Sequence, residues 1–363
     1  MKGFLPAVAA LFLLLPLPAG AQPARDIVDR AVEGDGFNGV ALVGRGRTID
    51  ALEARGAADV AHGVPMTRDT RFEVGSISKW IAAIVVMKLV DQGHLDLEAP
   101  ISRYLPDYRA DTGAKLTLLR LMSHSSGLPN QILAARQADP SSRGVELDQM
   151  VAVRRYASGD LAFEPGTAWD YSHSNWLVVK AVVERVSGMP YAQLVDQVLI
   201  KPLRLRNSGI CHGDSAHVRG MALGYATLVP TPQPKPNPVP DFMAMAGGYY
   251  TTAPELMKLM DAVLDGRFLS AASRRTLMTT VMPDQHYALG GRVRIERIAG
   301  QEREAAWEDG SNGGFRMIAR RVLADGHTVI VMTNASYDHA NLGQLGDALM
   351  EASYADAAES ASR

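Results

Sequence analysis

The sequence predicts an α/β protein of the α+β type, with an antiparallel sheet formed by both chain ends, flanking helices and an inserted all-helical lobe. Two observations favour this fold class. Apolar runs of strand length occur near both ends of the chain, whereas helical or loop patterns dominate from about residue 76 to about residue 200. The sheet must therefore bring the first and last parts of the chain side by side. The predicted strands are residues 39–44, 48–54, 287–298, 315–322 and 327–333.

Residues 1–21 have the composition of a cleavable export signal. Lys2 provides a positive start, residues 4–17 form an apolar run, and Ala19 and Ala21 are small residues of the kind that a signal peptidase prefers. The run is short and interrupted by prolines, which does not suit a membrane span; an uncleaved anchor is the alternative. We expect cleavage near Ala21 and a periplasmic or secreted protein.

Residues 22–363 are predicted to form a single domain with two lobes, since this length exceeds the usual size of a single core. Residues 22–75 and about 240–363 would form the sheet lobe, and residues from about 76 to 239 the helical lobe and its loops. No later segment has the roughly 20 apolar residues of a transmembrane helix, so no stable membrane span is expected. The proline-rich residues 230–240 can form neither a helix nor a central strand. We interpret them as a surface loop rather than a linker between domains.

The composition excludes several classes of function. A net charge of −2 gives no reason to expect nucleic acid as a partner. A single cysteine, Cys211, cannot form an internal disulfide, and we interpret it as a packed thiol. The nine histidines include no metal-binding pair, and no phosphate-binding glycine loop occurs, so neither a metal nor a cofactor is predicted.

Helices are predicted from the spacing of apolar residues. The longest, residues 77–95, is apolar on nearly all sides and ends near Gly93, which indicates a buried helix. The other predicted helices are residues 176–186, 255–264 and 342–354.

Ser76 and Lys79 stand at the start of the buried helix. Their spacing places both side chains on one helix face. Gly75 permits a tight turn, and the positive helix N-terminus favours an alkoxide on Ser76. Burial would lower the pKa of Lys79 and let its amine accept the serine proton. The alternative is an N-cap serine followed by a solvated lysine, which the apolar surroundings of Lys79 make less attractive.

Tyr171, Ser172 and His173 form the second candidate element. A phenol close to a nucleophile can relay a proton to a leaving group. Without Ser76 and Lys79, an ordinary core or loop tyrosine would be the preferred interpretation.

A glycine-rich segment, residues 310–315, precedes a predicted strand. Its glycines allow the backbone to approach a ligand, and a backbone N–H there, with that of Ser76, would form an oxyanion hole. The alternative is a tight hairpin.

These elements, in this order, resemble the penicillin-recognising serine hydrolases, whose Ser-x-x-Lys signature matches residues 76–79. Similarity is closest to the branch that holds class C β-lactamases, DD-peptidases, D-aminopeptidases and esterases of β-lactamase fold. The matching segments are residues 72–79, the His-x-Ser-Gly-Leu pattern within 116–129, and residues 163–172, 246–253 and 313–315.

The resemblance implies a β-lactamase/transpeptidase-like fold and a role for each matching residue. Ser76 would be the acylating nucleophile, Lys79 its proton acceptor and Tyr171 a second acid or base. The backbone N–H groups of Ser76 and Ser311 would be the oxyanion donors. Whether Lys79 or Tyr171 is the primary base stays open.

Two positions depart from the family pattern. His173 replaces the usual asparagine of the tyrosine motif, and an imidazole cannot reproduce both hydrogen bonds of an amide at once. Glu308, ahead of Gly310, replaces the usual cation of the strand that binds a substrate carboxylate. We expect Glu308 to repel that carboxylate at a cost of a few kcal/mol, unless Arg316 compensates.

The predicted function is therefore an exported serine hydrolase, with esterase ahead of peptidase and β-lactamase. Neutral esters, or amides with a free amine that Glu308 could pair with, are the expected small-molecule substrates, and carboxylate-bearing β-lactams are expected to be poor ones. The alternative from another class is a catalytically silent binding protein on the same fold, which the changes at His173 and Glu308 motivate.

Overall fold

The computed structural model describes the backbone of residues 21–361 and the side chains of residues 22–355. The predicted signal peptide, residues 1–21, thus lies outside the described residues except for Ala21. Within the described range, no helix combines the length and the apolar character that crossing a membrane requires.

Most strands lie near the two ends of the described range, and most helices lie between them. The α-helices are Ala21–Asp35 (α1), Ile77–Asp91 (α2), Ala110–Gly113 (α3), Leu118–Met122 (α4), Gln131–Ala138 (α5), Gln149–Tyr156 (α6), Ser174–Ser187 (α7), Tyr191–Val195 (α8), Lys201–Leu203 (α9), Ala244–Gly247 (α10), Ala253–Leu264 (α11), Ala271–Met278 (α12) and His339–Ala361 (α13). The strands are Gly39–Arg45 (β1), Thr48–Arg55 (β2), Ala57–Asp59 (β3), Val64–Pro65 (β4), Phe72–Glu73 (β5), Gly209–Ile210 (β6), Tyr225–Thr227 (β7), Gln233–Pro234 (β8), Tyr249–Thr251 (β9), Arg292–Ile298 (β10), Gln301–Asn312 (β11), Phe315–Val322 (β12) and His327–Thr333 (β13).

The main sheet has six antiparallel strands in the order β10-β11-β12-β13-β1-β2. β1 pairs with β13 along its whole length, from Gly39 opposite Thr333 to Arg45 opposite His327. The sheet therefore joins the two chain ends, and the predicted fold class is confirmed.

Helices cover both faces of this sheet. The residues of β1 alternate: Val40 and Leu42 pack into the larger core, which includes α2, and Ala41 and Val43 pack into a second core with α1 and α13. A strand that is buried on both faces reads as a continuous apolar run, as the first predicted strand does.

The buried helix α2 carries the residues that the sequence singles out. Its central positions, from Ile81 to Met87, are fully buried. It ends at Asp91, four residues earlier than predicted, because Gly93 adopts φ +74° and closes the helix.

Two differences from the predicted strands concern the edge of the sheet. The strand predicted at 287–298 begins only at Arg292, because Gly290 has φ +70° and a turn forms in which the Ala288 N–H donates to Gly291 O at 2.8 Å. β11, Gln301–Asn312, is absent from the predicted strands, and the four polar residues in a row at its start, Gln301 to Glu304, hide the strand alternation.

The region from 76 to 239 is mainly helical, but it also contains the short strands β6, β7 and β8. Its proline-rich part is a surface loop that lies against the turn between β11 and β12. The Gly314 N–H donates to Lys235 O at 3.1 Å, and the Lys235 N–H donates to Gly224 O at 2.7 Å. This loop therefore forms one wall beside the glycine-rich segment.

Candidate active site

Ser76 lies at the N-terminus of α2, in the N-cap position, but its side chain makes no capping hydrogen bond. The preceding Gly75 has φ +51°, which an L-residue with a side chain rarely adopts. A Cβ on Gly75 would also lie only 2.5 Å from the Ser311 backbone nitrogen. A glycine is thus required both for the turn and for the close approach of β11 to the nucleophile segment.

Two side chains hydrogen bond to the Ser76 hydroxyl. Lys79 Nζ lies 3.1 Å from Ser76 Oγ, and the Tyr171 hydroxyl donates to Ser76 Oγ at 2.9 Å. Lys79 Nζ also lies over the Tyr171 ring, 5.1 Å from its centroid. The structure therefore brings together the three residues that the sequence proposes for acyl transfer.

The protonation of Lys79 follows from its burial. Its side chain is fully buried, and it donates to Ala246 O at 2.6 Å. Burial lowers the pKa of Lys79 to about 7, while Glu308 and Asp309 act in the opposite direction. A neutral amine keeps an N–H for Ala246 and offers its lone pair to the Ser76 hydroxyl.

Tyr171 differs from Lys79 in that its pKa is raised and not lowered. Burial and the nearby Glu308 raise the pKa of the Tyr171 phenol, so that it stays protonated and donates. His124 stacks on the Tyr171 ring, with ring centroids 4.3 Å apart, and accepts a hydrogen bond from the Ser172 N–H at 3.0 Å. This stacking holds the phenol against the serine.

An oxyanion hole can form between α2 and β11. β10 pairs with β11 only as far as Trp307, so residues 308–312 keep a free edge on the side of β11 away from β12. The contact of Gly75 with Ser311 places this edge beside the nucleophile turn. Gly310 permits the approach, since a Cβ there would lie 2.1 Å from Val74 O.

His173 lies beside Tyr171, but its hydrogen-bond partner is Asn130 and not Lys79. Its Nδ1 lies 3.1 Å from Asn130 Nδ2, which also donates to Tyr171 O at 3.1 Å. Burial lowers the pKa of His173 to about 3, so the ring is neutral at pH 7. Asn175 does not substitute either, because its side chain pairs with Ser126 and His124.

The expectation that the negative charge of Glu308 repels a substrate carboxylate is wrong. Glu308 is buried, and Arg292 Nη1 donates to its two carboxylate oxygens at 3.0 and 3.2 Å. Burial raises the pKa of Glu308 to about 8, against the opposing effect of Arg292. The pair presents no net negative charge, and Glu308 is not free to bind a substrate amine.

Arg316 does not compensate for the missing strand cation. It lies next to Met317, which packs into the core with α2, and two residues before Ile318, which packs against the α1–α13 side. Strand alternation therefore directs Arg316 away from Glu308. Its Nη1 donates to Gly313 O at 3.0 Å and to Phe315 O at 2.6 Å. The Ser311 hydroxyl shares this outer face and lies 3.3 Å from His339 Nε2.

Sequence reasoning missed Arg292 and Asn130. Arg292 stacks on Trp307, 4.9 Å from the ring centroid, as well as pairing with Glu308. A signal was present, because a carboxylate in an otherwise apolar strand position needs a cation nearby. The sequence could not say which of many arginines supplies it. Among the described residues, no group of His, Cys, Asp or Glu side chains is arranged to hold a metal ion.

Comparisons with known proteins agree with this geometry. Esterase EstB of Burkholderia gladioli is 37% identical over 204 residues, which are 53% of this chain and 51% of the esterase. The chain thus spans about half the length of that relative. The putative penicillin-binding protein PbpX of Bacillus subtilis is 26% identical over 87% of this chain and 75% of its own length.

The fold has solved counterparts. The crystal structure of a penicillin-binding protein from Bacillus halodurans superimposes with a TM-score of 0.75 at 22% identity, covering 88% of this chain and 97% of that one. The sequence model described as Beta-lactamase matches residues 24–353. Because this match includes nearly all of the chain, the chain belongs to the Beta-lactamase family.

Proposed function

We propose that this chain is an exported serine esterase that works through an acyl-enzyme on Ser76. The observation that carries the proposal is the pair of hydrogen bonds to Ser76 Oγ, from a lysine with a pKa of about 7 and from a protonated tyrosine. A base and an acid on one hydroxyl are what acyl transfer requires.

The proposed reaction has two halves. Lys79 Nζ takes the Ser76 proton, and Ser76 Oγ attacks the ester carbonyl, whose oxygen is stabilised by the N–H groups of Ser76 and Ser311. Tyr171 donates its proton to the leaving oxygen as the carbon–oxygen bond breaks, and the proton held by Lys79 restores the phenol. A water molecule then attacks the acyl carbon in the same manner and releases the acid.

Two observations favour an ester over a carboxylate-bearing β-lactam. The relative with 37% identity is named an esterase. At the β11 edge, the cation Arg292 is already paired with Glu308, and Arg316 faces the other side of the sheet. A class C-like β-lactamase or DD-peptidase is the alternative, supported by the similarity to a protein named as penicillin-binding. Export rests on the signal predicted at residues 1–21.

Fluorophosphonate labelling with intact-mass measurement tests the nucleophile. We expect one label on the purified protein and none on Ser76→Ala. Ser78→Ala is the matched control, because Ser78 lies in the same turn but its hydroxyl accepts from the Tyr249 N–H at 3.0 Å and does not face the site. An unlabelled wild type would favour the silent binding protein, and label retained in Ser76→Ala would place the nucleophile elsewhere.

Gly75→Ala tests the oxyanion hole. A methyl group there collides with the Ser311 backbone, so we expect kcat/KM for p-nitrophenyl acetate to fall by about 10²-fold to 10³-fold. Gly93→Ala is the control, because Gly93 has a similar positive φ but nothing within 4 Å of its added Cβ. It should lower the melting temperature while sparing activity. Equal losses of activity in both variants would contradict this role for Gly75.

A further inference from the structure

A cleft of about 250 Å³ opens beside His173, between α5 and the proline-rich loop. We name it the basic cleft, for the positively charged side chains on its walls. It reaches the glycine-rich turn after β11, so it adjoins the proposed site of acyl transfer. Its defining residues are Arg136, Arg143 and His173 on one side and Lys235, Asn237 and Gly313 on the other.

The two arginines of this cleft lack anionic partners. Within the described part of the chain, neither Arg136 nor Arg143 has a carboxylate within 4.0 Å. The nearby Asp139 is engaged by its own turn, where it accepts from the Ser141 N–H at 3.0 Å.

Arg136 is the more constrained of the two. It donates from Nη2 to Arg143 O at 3.2 Å, and its buried Nε has no partner among the described residues. Partial burial and the neighbouring Arg143 lower the pKa of Arg136. A half-buried guanidinium with an unused donor is costly unless something binds it.

His173 adds a donor to the same cleft. The Asn130 amide nitrogen donates to Tyr171 O, which fixes the amide orientation, so His173 Nδ1 must accept from it. The neutral ring therefore carries its proton on Nε2. The cleft thus combines the two arginines with a neutral N–H donor.

The remaining walls are apolar. Ile132, Leu133 and Met243 line the cleft, and Leu133 is 43% exposed. An alkyl chain that ends in an anion would match this combination of apolar wall and arginines. The forked guanidinium donors favour a carboxylate over a spherical anion.

We propose that the substrate carries a carboxylate and that the basic cleft binds it through Arg136 and Arg143. The substrate class is then an ester with an anionic group on one side of the scissile bond. This inference rests on the proposed esterase function. It moves the anion site from β11, where Arg292 is occupied by Glu308, to the α5 side of the cleft.

Matched ester pairs test the proposal. The first pair carries the carboxylate on the acyl side: the anionic member is mono-p-nitrophenyl adipate and the neutral member is p-nitrophenyl hexanoate. The second pair carries it on the leaving group: the anionic member is 4-(carboxymethyl)phenyl hexanoate and the neutral member is 4-ethylphenyl hexanoate. We expect kcat/KM for the anionic member of one pair to exceed that of the neutral member by about 10-fold to 100-fold. Arg136→Gln should reduce this ratio to near one, and Arg143→Gln, at an exposed position, should lower it in part.

The control is Arg103→Gln, which removes an exposed arginine outside the cleft and should leave the ratio unchanged. The experiment distinguishes a failure of the proposed esterase function from a failure of the proposed anion site. A protein that hydrolyses none of the four esters contradicts the esterase function. A protein that hydrolyses the neutral esters without preferring either anionic partner, or whose preference survives in both Arg136→Gln and Arg143→Gln, overturns the basic cleft as an anion site.

Discussion

Replacing Lys79 with methionine should lower kcat/KM for a short-chain ester by about 10⁴-fold or more, although Ser76 and Tyr171 remain in place. Methionine fills the same buried volume but cannot accept a proton. Tyr171 cannot substitute as base, because burial and Glu308 raise its pKa. The sequence left the identity of the primary base open, and we propose that it is Lys79.

The pH profile gives a second readout of the same residue. Only neutral Lys79 accepts the serine proton, so kcat/KM of the wild type should rise with pH up to about 7 and level off above it, following the pKa of Lys79. In Lys79→Met this rise should vanish.

Lys88→Met is the matched control, because Lys88 lies on the same helix but donates to Phe268 O at 2.8 Å. It should keep both the rate and the profile. A rise near pH 7 that persists in Lys79→Met would assign the titration to another group.

Much of the fold and the reacting centre could be predicted from the sequence because their signals are local. The spacing of Ser76 and Lys79, the glycine before them and the apolar helix around them lie within one segment. The pairing of β1 with β13 followed from apolar runs at both chain ends. The residues that determine such structures are close together in the sequence, so a local pattern is enough to predict them.

The surroundings of Glu308 could not be predicted in the same way. Its charge suggested repulsion, but its partner Arg292 lies on another strand, and the turn at Gly290 determines where that strand begins. His173 likewise depends on Asn130, 43 residues earlier in the chain. Charge effects in the site therefore depend on long-range contacts that a local pattern does not contain.

Arg292→Met should produce a loss of stability that grows with pH. In the wild type, Arg292 is 19% and Glu308 7% exposed, so the ion pair is largely withdrawn from water. Removing the cation from a buried pair costs about 3–5 kcal/mol when the remaining charge cannot be neutralised. Glu308 can be neutralised by a proton, and the cost therefore depends on pH.

The sign of this dependence follows from linkage. The pKa of Glu308 is raised in the folded protein from its ordinary value of 4.5 to about 8, so between these pH values the folded state holds a proton that the unfolded state releases. Stability from this group falls as pH rises through that window, by up to about 1.4 kcal/mol per pH unit. Without Arg292 the pKa of Glu308 in the folded protein rises further, and the loss of stability continues to higher pH.

The measurement is urea unfolding of wild type and Arg292→Met at pH 6 and pH 9, with the double variant Arg292→Met/Glu308→Met as control. The single variant should be less stable than the wild type at both pH values, and this loss should be about 1.4 kcal/mol larger at pH 9, because Glu308 ionises near pH 8 in the wild type and stays protonated in the variant. The double variant should recover most of that loss, since an apolar pair can replace a buried ion pair. A loss that is equal at both pH values would mean that packing, not charge, is what Arg292 supplies. A pH-dependent loss would instead identify Glu308 as half of a structural ion pair, which explains how an acidic residue can occupy a strand position that usually binds an anion.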